Sequence, residues 1–542
     1  MTTADLINQL CLPQSYPHPV DVITTIETHI SVVFLTGPYA YKLKKPVNFG
    51  FLDFSDLIKR KKFCDLELKL NRRYAPKLYI DVTPIYLKAD GDITLYAEKS
   101  IGNVVDYLVK MNQFDPNQVL GRRLQNESLD ATQVESLAAQ IANFHQSAKI
   151  VDQSAELGEP ETVLQPMLDN FPTLSHQFGK NNTSYSQQLD ALHQWTLAQF
   201  KILKPLLAQR KKSGFIKACH GDLHIDNITL INNQPMMFDG IEFNENFRWI
   251  DVISDLAFLL IDLDFRQQRQ LNRSVLSLYL SQTDDYNSLK LLRFYQVYRT
   301  LVRAKITTLR AEQLVENSIE REQLLQVALQ YMHLASRYTE TSKSPKLILL
   351  QGVSGSGKSH FANQLLTHLD AIIISSDRVR KQLYGITPLH RVSDAEKLIL
   401  YSPQMNKKVY AKLLSEADKM LQLGFNVIVD ATFLQCKHRN KFHRLCESGS
   451  IEQGRSDLNA SSHVIYIETP TELAELSIKQ RMQKDNNPSD ADTSIMLKQL
   501  TNLEVPTPLE HALTINSQLL RGFYPQEIIQ EFLDLPIQEV KE

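Results

Sequence analysis

Residues Lys346–His360, KLILLQGVSGSGKSH, constrain the chain more than any other stretch. The apolar run Leu347–Leu350 has the length of one buried strand. It breaks at Gly352, and Gly352-Val353-Ser354-Gly355-Ser356-Gly357-Lys358-Ser359 fits G-x-x-x-x-G-K-[ST] at every position. Gly352, Gly355, Ser356 and Gly357 let backbone N–H groups turn inward around a polyphosphate, at the positive end of the following helix. Lys358 then reaches the β- and γ-phosphates, and Ser359 offers its hydroxyl to Mg²⁺. A chance glycine-rich turn is the alternative, but it would lack the strand before and the helix after. ATP and Mg²⁺ are the implied cofactors.

At 542 residues the chain exceeds one ordinary domain, and two or three are expected. With 43% hydrophobic and 22% charged residues it reads as soluble and globular. A net charge of −2 gives no global electrostatic case for a nucleic-acid or membrane-surface partner. Cys11, Cys64, Cys219, Cys436 and Cys446 form no C-x-x-C pair, which argues against zinc or a disulfide framework and suits a reducing cytosol. The start, MTTADLINQL, has no basic n-region and does not read as a secretory signal. Apolar stretches such as Leu256–Ile261 end at an aspartate far short of bilayer length.

In chain order, residues 1–112 read as a β lobe with one helix. Ile30–Leu35, the turn Gly37-Pro38 and Tyr39–Leu43 predict a hairpin, Asp56–Arg73 a helix, and Tyr79–Tyr86, Ile93–Ala97 and Val104–Met111 further strands. Residues 113–338 are mainly helical, with helical spacing in Val134–His145, Leu192–Leu207 and Leu291–Leu309, around one short non-helical region, Ile216–Phe243. This is the outline of a two-lobed kinase. Thr339–Pro345, TETSKSP, reads as a linker, and residues 346–542 as a second domain. There Leu347–Leu350, Ala371–Ile374, Val427–Val429, Val464–Ile467 and Ala512–Ile515 alternate with helical stretches, which predicts a parallel sheet wrapped by helices. The polar segment Glu452–Ser462 reads as a flexible loop. The expected fold class is thus multidomain, α+β followed by α/β.

The first chemical constellation is Cys219-His220-Gly221-Asp222-Leu223-His224-Ile225-Asp226-Asn227, followed by the apolar Met236–Phe238 and Asp239-Gly240. Phosphoryl transfer needs a carboxylate near the attacking hydroxyl and oxygen ligands for Mg²⁺. Asp222 suits the first task, and Asn227 and Asp239 the second. Any one of these residues alone reads as a turn cap, but the whole series does not. The series resembles that of the aminoglycoside phosphotransferase family, over roughly residues 20–335. The resemblance implies Asp222 as catalytic base, Asn227 and Asp239 as metal ligands, and a structural His220. It also implies a strand lysine, Lys42 in Tyr39-Ala40-Tyr41-Lys42, paired with Glu67, and an adenine-contacting hinge at Leu108–Gln113. Lys44 lies on the same strand face, so the choice between the two lysines stays open. The chain has no G-x-G-x-x-G loop and no A-P-E segment after Asp239-Gly240; it continues through Ile241-Glu242-Phe243 into Arg248–Asp264, which looks helical. Without an activation segment a small-molecule acceptor is favoured over a protein. Asp251 and Asp255 read as structural.

The second constellation follows the glycine-rich loop. Ser375-Ser376-Asp377-Arg378-Val379-Arg380 comes directly after the strand Ala371–Ile374, and ligands of open α/β sheets bind at the carboxyl ends of strands. Asp377 can orient or deprotonate an acceptor hydroxyl, and Arg380 can hold an anion. The alternative is a helix start followed by an exposed basic turn. Asp430 ends the buried run in Gly424–Leu434, a Mg²⁺-binding position, and is followed by Ala431, not the acidic residue that water activation in motor ATPases usually needs. Ser477–Lys484 would carry a lid arginine, Arg481. Over about 346–520 these features resemble the P-loop kinases that include gluconate kinase, polynucleotide 5′-kinase and zeta toxins. The order of the two modules resembles that of bacterial bifunctional proteins described as aminoglycoside phosphotransferase-like/ATP-binding or AAA-family ATPases.

The expectation is two ATP-dependent kinase modules acting on small-molecule hydroxyls, with no membrane and no obligate protein partner. Two alternatives remain. One keeps only the second module active, on a nucleic-acid end or nucleotide-sugar; the lack of a broad basic stripe disfavours nucleic acid. The other is a nucleotide-binding switch or scaffold.

Overall fold

Alternation along Tyr39–Lys44, YAYKLK, determines how the first sheet is buried. Tyr41 and Leu43 face one core with Leu6, Leu10, Val32, Phe34 and Leu108. Ala40 faces the other, with Cys64, Leu78, Tyr79 and Val109, and Lys42 and Lys44 share its parity. The structure, a computed structural model, describes residues 2–50, 52–96, 103–179, 183–340, 342, 344–447, 459–483, 488–507, 510, 512–521 and 526–534. It divides into two units, Met1–Asp262 with Phe294–Met332, and Leu263–Arg293 with His333–Glu542.

The first unit opens with a six-stranded antiparallel sheet in the order β1-β2-β3-β6-β4-β5. Its strands are β1 (Thr24–Glu27), β2 (Ser31–Leu35), β3 (Tyr39–Lys44), β4 (Tyr79–Leu87), β5 (Ile93–Thr94) and β6 (Val104–Asn112). The expected strand Ile93–Ala97 is shorter, and residue 97 lies outside the described residues. The helix Leu57–Asn71 is started by Asp56, whose side chain accepts from the Lys59 N–H at 2.8 Å. Long helices follow at Ala131–Ser147, Thr183–Lys212 and Leu289–Glu312. Between them lie two small antiparallel pairs, β7 (Ile216–Ala218) with β10 (Trp249–Asp251) and β8 (Ile228–Ile231) with β9 (Gln234–Met237). Residues 249–251 are therefore strand, and the helix expected from Arg248 begins at Val252. The cause is Asp251: it pairs with Arg210 and accepts from the Ile253 N–H at 3.0 Å, which starts the helix there.

In the second unit β11 (Lys346–Gln351), β12 (Ala371–Ser375), β13 (Asn426–Asp430), β14 (Ser461–Glu468) and β15 (Ala512–Asn516) form a parallel sheet in the order β12-β13-β11-β14-β15. Ile348, Leu350, Ile428 and Ile465 pack with Phe361, Ala362 and Leu365 of the helix that follows the glycine-rich loop. Of the expected loop Glu452–Ser462, residues 452–458 lie outside the described residues.

The unit boundary is not the single linker expected near residues 339–345, because residues 263–293 and 333–338 belong with the second unit. The helix Arg269–Thr283 runs along β12. Ser277 Oγ accepts from the Ile373 N–H at 3.0 Å, and Arg273 Nη2 donates to Asp370 Oδ2 at 2.8 Å. β12 is an edge strand, and an uncovered edge is a template for aggregation. A fragment of residues 344–542 is therefore expected to melt at least about 5 °C below the second transition of the full chain, or to aggregate. Calorimetry of both checks this, and equal midpoints would show that residues 263–293 contribute nothing.

Candidate functional site

In the first unit a buried carboxylate shapes the loop after β7. Asp255 accepts from the backbone N–H groups of His220 at 3.0 Å and Gly221 at 2.8 Å, and its Oδ2 lies 3.1 Å from His145 Nε2. The His220 ring faces the Phe238 carbonyl at 2.9 Å. Gly221 has φ of 87°, and a Cβ there would come within 2.7 Å of the Phe247 carbonyl. His220 and Asp255 are thus structural. So is Asp251, held by Arg210 through two bonds of 2.5 and 2.8 Å.

The loop presents Asp222 half-buried. Asn227 Nδ2 donates to the Asp222 carbonyl at 2.9 Å and to its Oδ2 at 3.2 Å, and His224 Nε2 lies 3.3 Å from the same oxygen. Burial pushes the Asp222 carboxyl up, but the imidazole of His224 outweighs it and holds the group below the usual carboxylate range. The Phe238 N–H donates to the Asn227 carbonyl at 2.9 Å, which ties Asp239 to the same loop. Asp239 has φ of 60°, and its N–H donates to Tyr79 Oη at 3.0 Å. The Gly240 N–H donates to Asn71 Oδ1 at 2.9 Å, and a Cβ on Gly240 would meet Tyr74 Oη at 2.2 Å. Only glycine fits beneath that tyrosine.

Both β3 lysines enter this centre. Lys42 Nζ donates to Glu67 Oε1 at 3.0 Å and to Asp239 Oδ1. Lys44 Nζ donates to Glu67 Oε2 at 2.5 Å and to Glu242 Oε1. Of the two, it is Lys42 that reaches Asp239. Burial pushes the Glu67 carboxyl up; Lys42 and then Lys44 reverse this and hold it low. Glu242 is the residue that sequence reasoning passed over, although an ionisable group between Ile241 and Phe243 was a signal. At the end of β6, Gln113 Oε1 accepts from the Gly37 N–H at 3.0 Å, so the expected hinge is joined to the β2–β3 turn.

In the second unit the glycines fit where side chains do not. Gly352, Gly355 and Gly357 have φ of 151°, 84° and 93°. A Cβ on Gly355 would lie 2.5 Å from the Ala474 carbonyl. Lys358 Nζ spans the loop, donating to the carbonyls of Gly352 at 2.9 Å and Val353 at 2.7 Å and to Ser356 Oγ at 3.4 Å. Ser359 Oγ donates to Asp430 Oδ2 at 2.6 Å. Burial lowers the Lys358 pKa to about 8, against the pull of Asp430 and Asp377. Burial also raises the Asp430 carboxyl. Asp377 stands in the first turn of the helix Ser376–Tyr384. It is the strongest of the charges that counter the burial of Arg481, so Lys358, Asp377, Asp430 and Arg481 share one electrostatic centre. Arg481 Nη2 donates to the Ala491 carbonyl at 2.5 Å.

Arg380 is placed differently from the expectation. Its Nε lies 3.8 Å from Asp377 Oδ1, but Nη1 donates to the Leu400 carbonyl and to Asn406 Oδ1, each at 2.7 Å, and its guanidinium covers Tyr401. It braces the Asp377 helix. Arg391, which the sequence did not single out, approaches Asp490 Oδ1 at 3.4 Å and acts on Arg481 electrostatically. Arg439 is fully buried on Glu510, with bonds of 2.6 and 3.0 Å, and is structural.

Residues 101–292 match the model of the phosphotransferase enzyme family, and residues 347–506 that of an AAA domain. An uncharacterized protein of Mycobacterium tuberculosis is 29% identical over 426 residues, which is 77% of this chain and 80% of that protein. A choline/ethanolamine kinase family protein from Mesorhizobium loti is 12% identical and covers 63% of this chain and 96% of its own, with a TM-score of 0.37. A gluconokinase from Sinorhizobium meliloti is 17% identical and covers 36% of this chain and 92% of its own, with a TM-score of 0.21. The chain carries a region similar to the phosphotransferase enzyme family followed by a region similar to an AAA domain, and is an ATP-dependent kinase.

Proposed function

We propose that both units transfer the γ-phosphoryl group of ATP to a hydroxyl of a small molecule, in the cytosol. The observation that carries this reading is Lys42 lying between Glu67 and Asp239, beside a loop that pairs Asp222 with Asn227. The cytosol is supported by five free cysteines and, among the described residues, by the lack of a helix long and apolar enough to cross a membrane.

In the first unit Asp222 accepts the acceptor's proton as its oxygen attacks the γ-phosphorus, and ADP leaves with the electrons of the broken P–O bond. Lys42, oriented by Glu67, neutralises the phosphates. In the second, Lys358 and the loop amides hold the phosphates, Asp377 orients and deprotonates the acceptor, and Arg481 balances charge on the moving group. Arg380 acts through Asp377, as its brace. Asn227 with Asp239, and Ser359 with Asp430, are hard oxygen donors that suit Mg²⁺. These residues would hold the ion, which would supply positive charge against the phosphates as negative charge shifts during transfer.

Three measurements test the reading in the full chain. Asp222→Asn in a Lys358→Ala background should abolish transfer to acceptors from a metabolite library while calorimetric ATP binding persists; Asp239→Ala should weaken Mg·ATP binding instead. Full turnover by Asp222→Asn would remove the base role.

For the second unit, in an Asp222→Asn/Asp239→Ala background that removes transfer and weakens Mg·ATP binding by the first, Asp377→Ala should keep ATP affinity near that of the parent and lose about a hundredfold in transfer, the usual cost of one transition-state partner. Vigorous acceptor-independent hydrolysis, unchanged in Asp377→Ala, would replace the kinase reading of this unit with a nucleotide switch.

The third measurement concerns protons. With a pKa of about 8, Lys358 is partly neutral at pH 8, and phosphates favour its charged form. ATP binding by the second unit should then take up about half a proton at pH 8 and nearly none at pH 6. Binding enthalpies in buffers of different ionisation heat report this, and uptake that survives Lys358→Ala would assign it elsewhere.

A further inference from the structure

Phosphoryl transfer in the first unit uses one lysine of β3, yet the strand buries two. Lys44 is 2% exposed at its side chain and Glu242 5%, and Glu67 between the lysines has no exposure at all. The five charges alternate in sign along one path, Asp239–Lys42–Glu67–Lys44–Glu242. Both ends of the path lie in one short segment, because Glu242 follows Asp239 by three residues. The metal-binding segment is therefore fastened to β3 twice, by alternate residues of one strand face. Aromatic rings close the outer end: Phe54 lies 4.8 Å from Lys44 Nζ, and its ring is 6.4 Å from that of Phe243.

We propose that Lys44 and Glu242 are positioning residues for Mg·ATP: they hold the Asp239 carboxylate in place and keep Glu67 neutralised when Lys42 turns to the phosphates. This rests on the phosphotransferase reading of the first unit. The physical ground is the cost of an unpaired charge in a dry site. Lys42 cannot leave Asp239 for a phosphate without weakening the cover of Glu67, and a buried carboxylate stripped of its partner is strongly destabilising. Lys44 covers Glu67 Oε2, the oxygen that Lys42 does not use. Glu242 in turn neutralises Lys44 and ties the backbone after Asp239 to the strand. Asp239, with its left-handed backbone, is thereby held from both sides.

The test uses the full chain carrying Lys358→Ala, so that ATP binding reports the first unit. ATP is titrated calorimetrically at graded Mg²⁺. Glu242→Gln and Lys44→Met should each raise the Mg²⁺ concentration for half-maximal binding about tenfold, with Mg²⁺-free ATP affinity held within about twofold. Lys44→Arg should restore the parent value. If the single variants do not fold, the double variant Lys44→Met/Glu242→Leu, which leaves neither charge behind, keeps the proposal open to refutation. It should melt near the parent yet retain the raised Mg²⁺ requirement. A double variant with the parent's Mg²⁺ dependence overturns the proposal. A Lys358→Ala parent that binds no Mg·ATP overturns the phosphotransferase reading of the first unit beneath it.

Discussion

The first unit depends on a carboxylate that has no access to water. Glu67 sits on a helix whose inward positions are Arg60, Cys64, Glu67 and Asn71, three of them polar. Such a helix is not docked by apolar area alone. Arg60 reaches Asp106 on β6 at 2.9 Å, Glu67 takes both lysines of β3, and Asn71 holds the Gly240 N–H. Each contact fixes distance and angle more narrowly than apolar packing does, because a buried charge displaced from its partner loses its compensation. The helix therefore has one position on the sheet, and the Asp239 segment inherits it.

The second unit reaches comparable precision by another route, through the backbone. Its loop turns where φ is positive and where the Ala474 carbonyl leaves no room for a side chain. Lys358 donates to the carbonyls of that loop, and burial lowers its pKa. One unit fixes its centre with ion pairs, and the other with a glycine-shaped backbone and a lysine held on loop carbonyls.

Much of this was legible in the sequence. The glycine-rich loop between β11 and its helix, and the strand β13 that ends in Asp430, follow the strand and turn pattern read from the sequence, because each is local: a few residues fix the turn. Long-range choices were not legible. Strand alternation put Lys42 and Lys44 on one face but could not say which would meet Asp239, nearly 200 residues away. Arg380 read as an anion ligand because charge is visible in sequence, whereas its carbonyl partner at Leu400 is not. Residues 249–251 read as helix because the apolar run continues through them; Arg210, on a distant helix, decided otherwise. The assignment of 263–293 to the second unit left no mark, since a helix that covers a strand has the same periodicity whichever strand it covers.

That assignment has a consequence for how the protein is made. The chain passes from one unit to the other after Asp262, returns after Arg293 and crosses again after Met332. On a ribosome the helix Arg269–Thr283 emerges before any strand of the sheet it will cover, since β11 starts at Lys346. Its Arg273 and Ser277 must wait for Asp370 and Ile373, which are synthesised about 95 residues later; at 5–20 residues per second that is on the order of ten seconds. Strict N-to-C folding, one finished unit after another, is not open to this chain. The interval is a window in which a chaperone, or premature pairing with a neighbouring nascent chain, competes with the native partner.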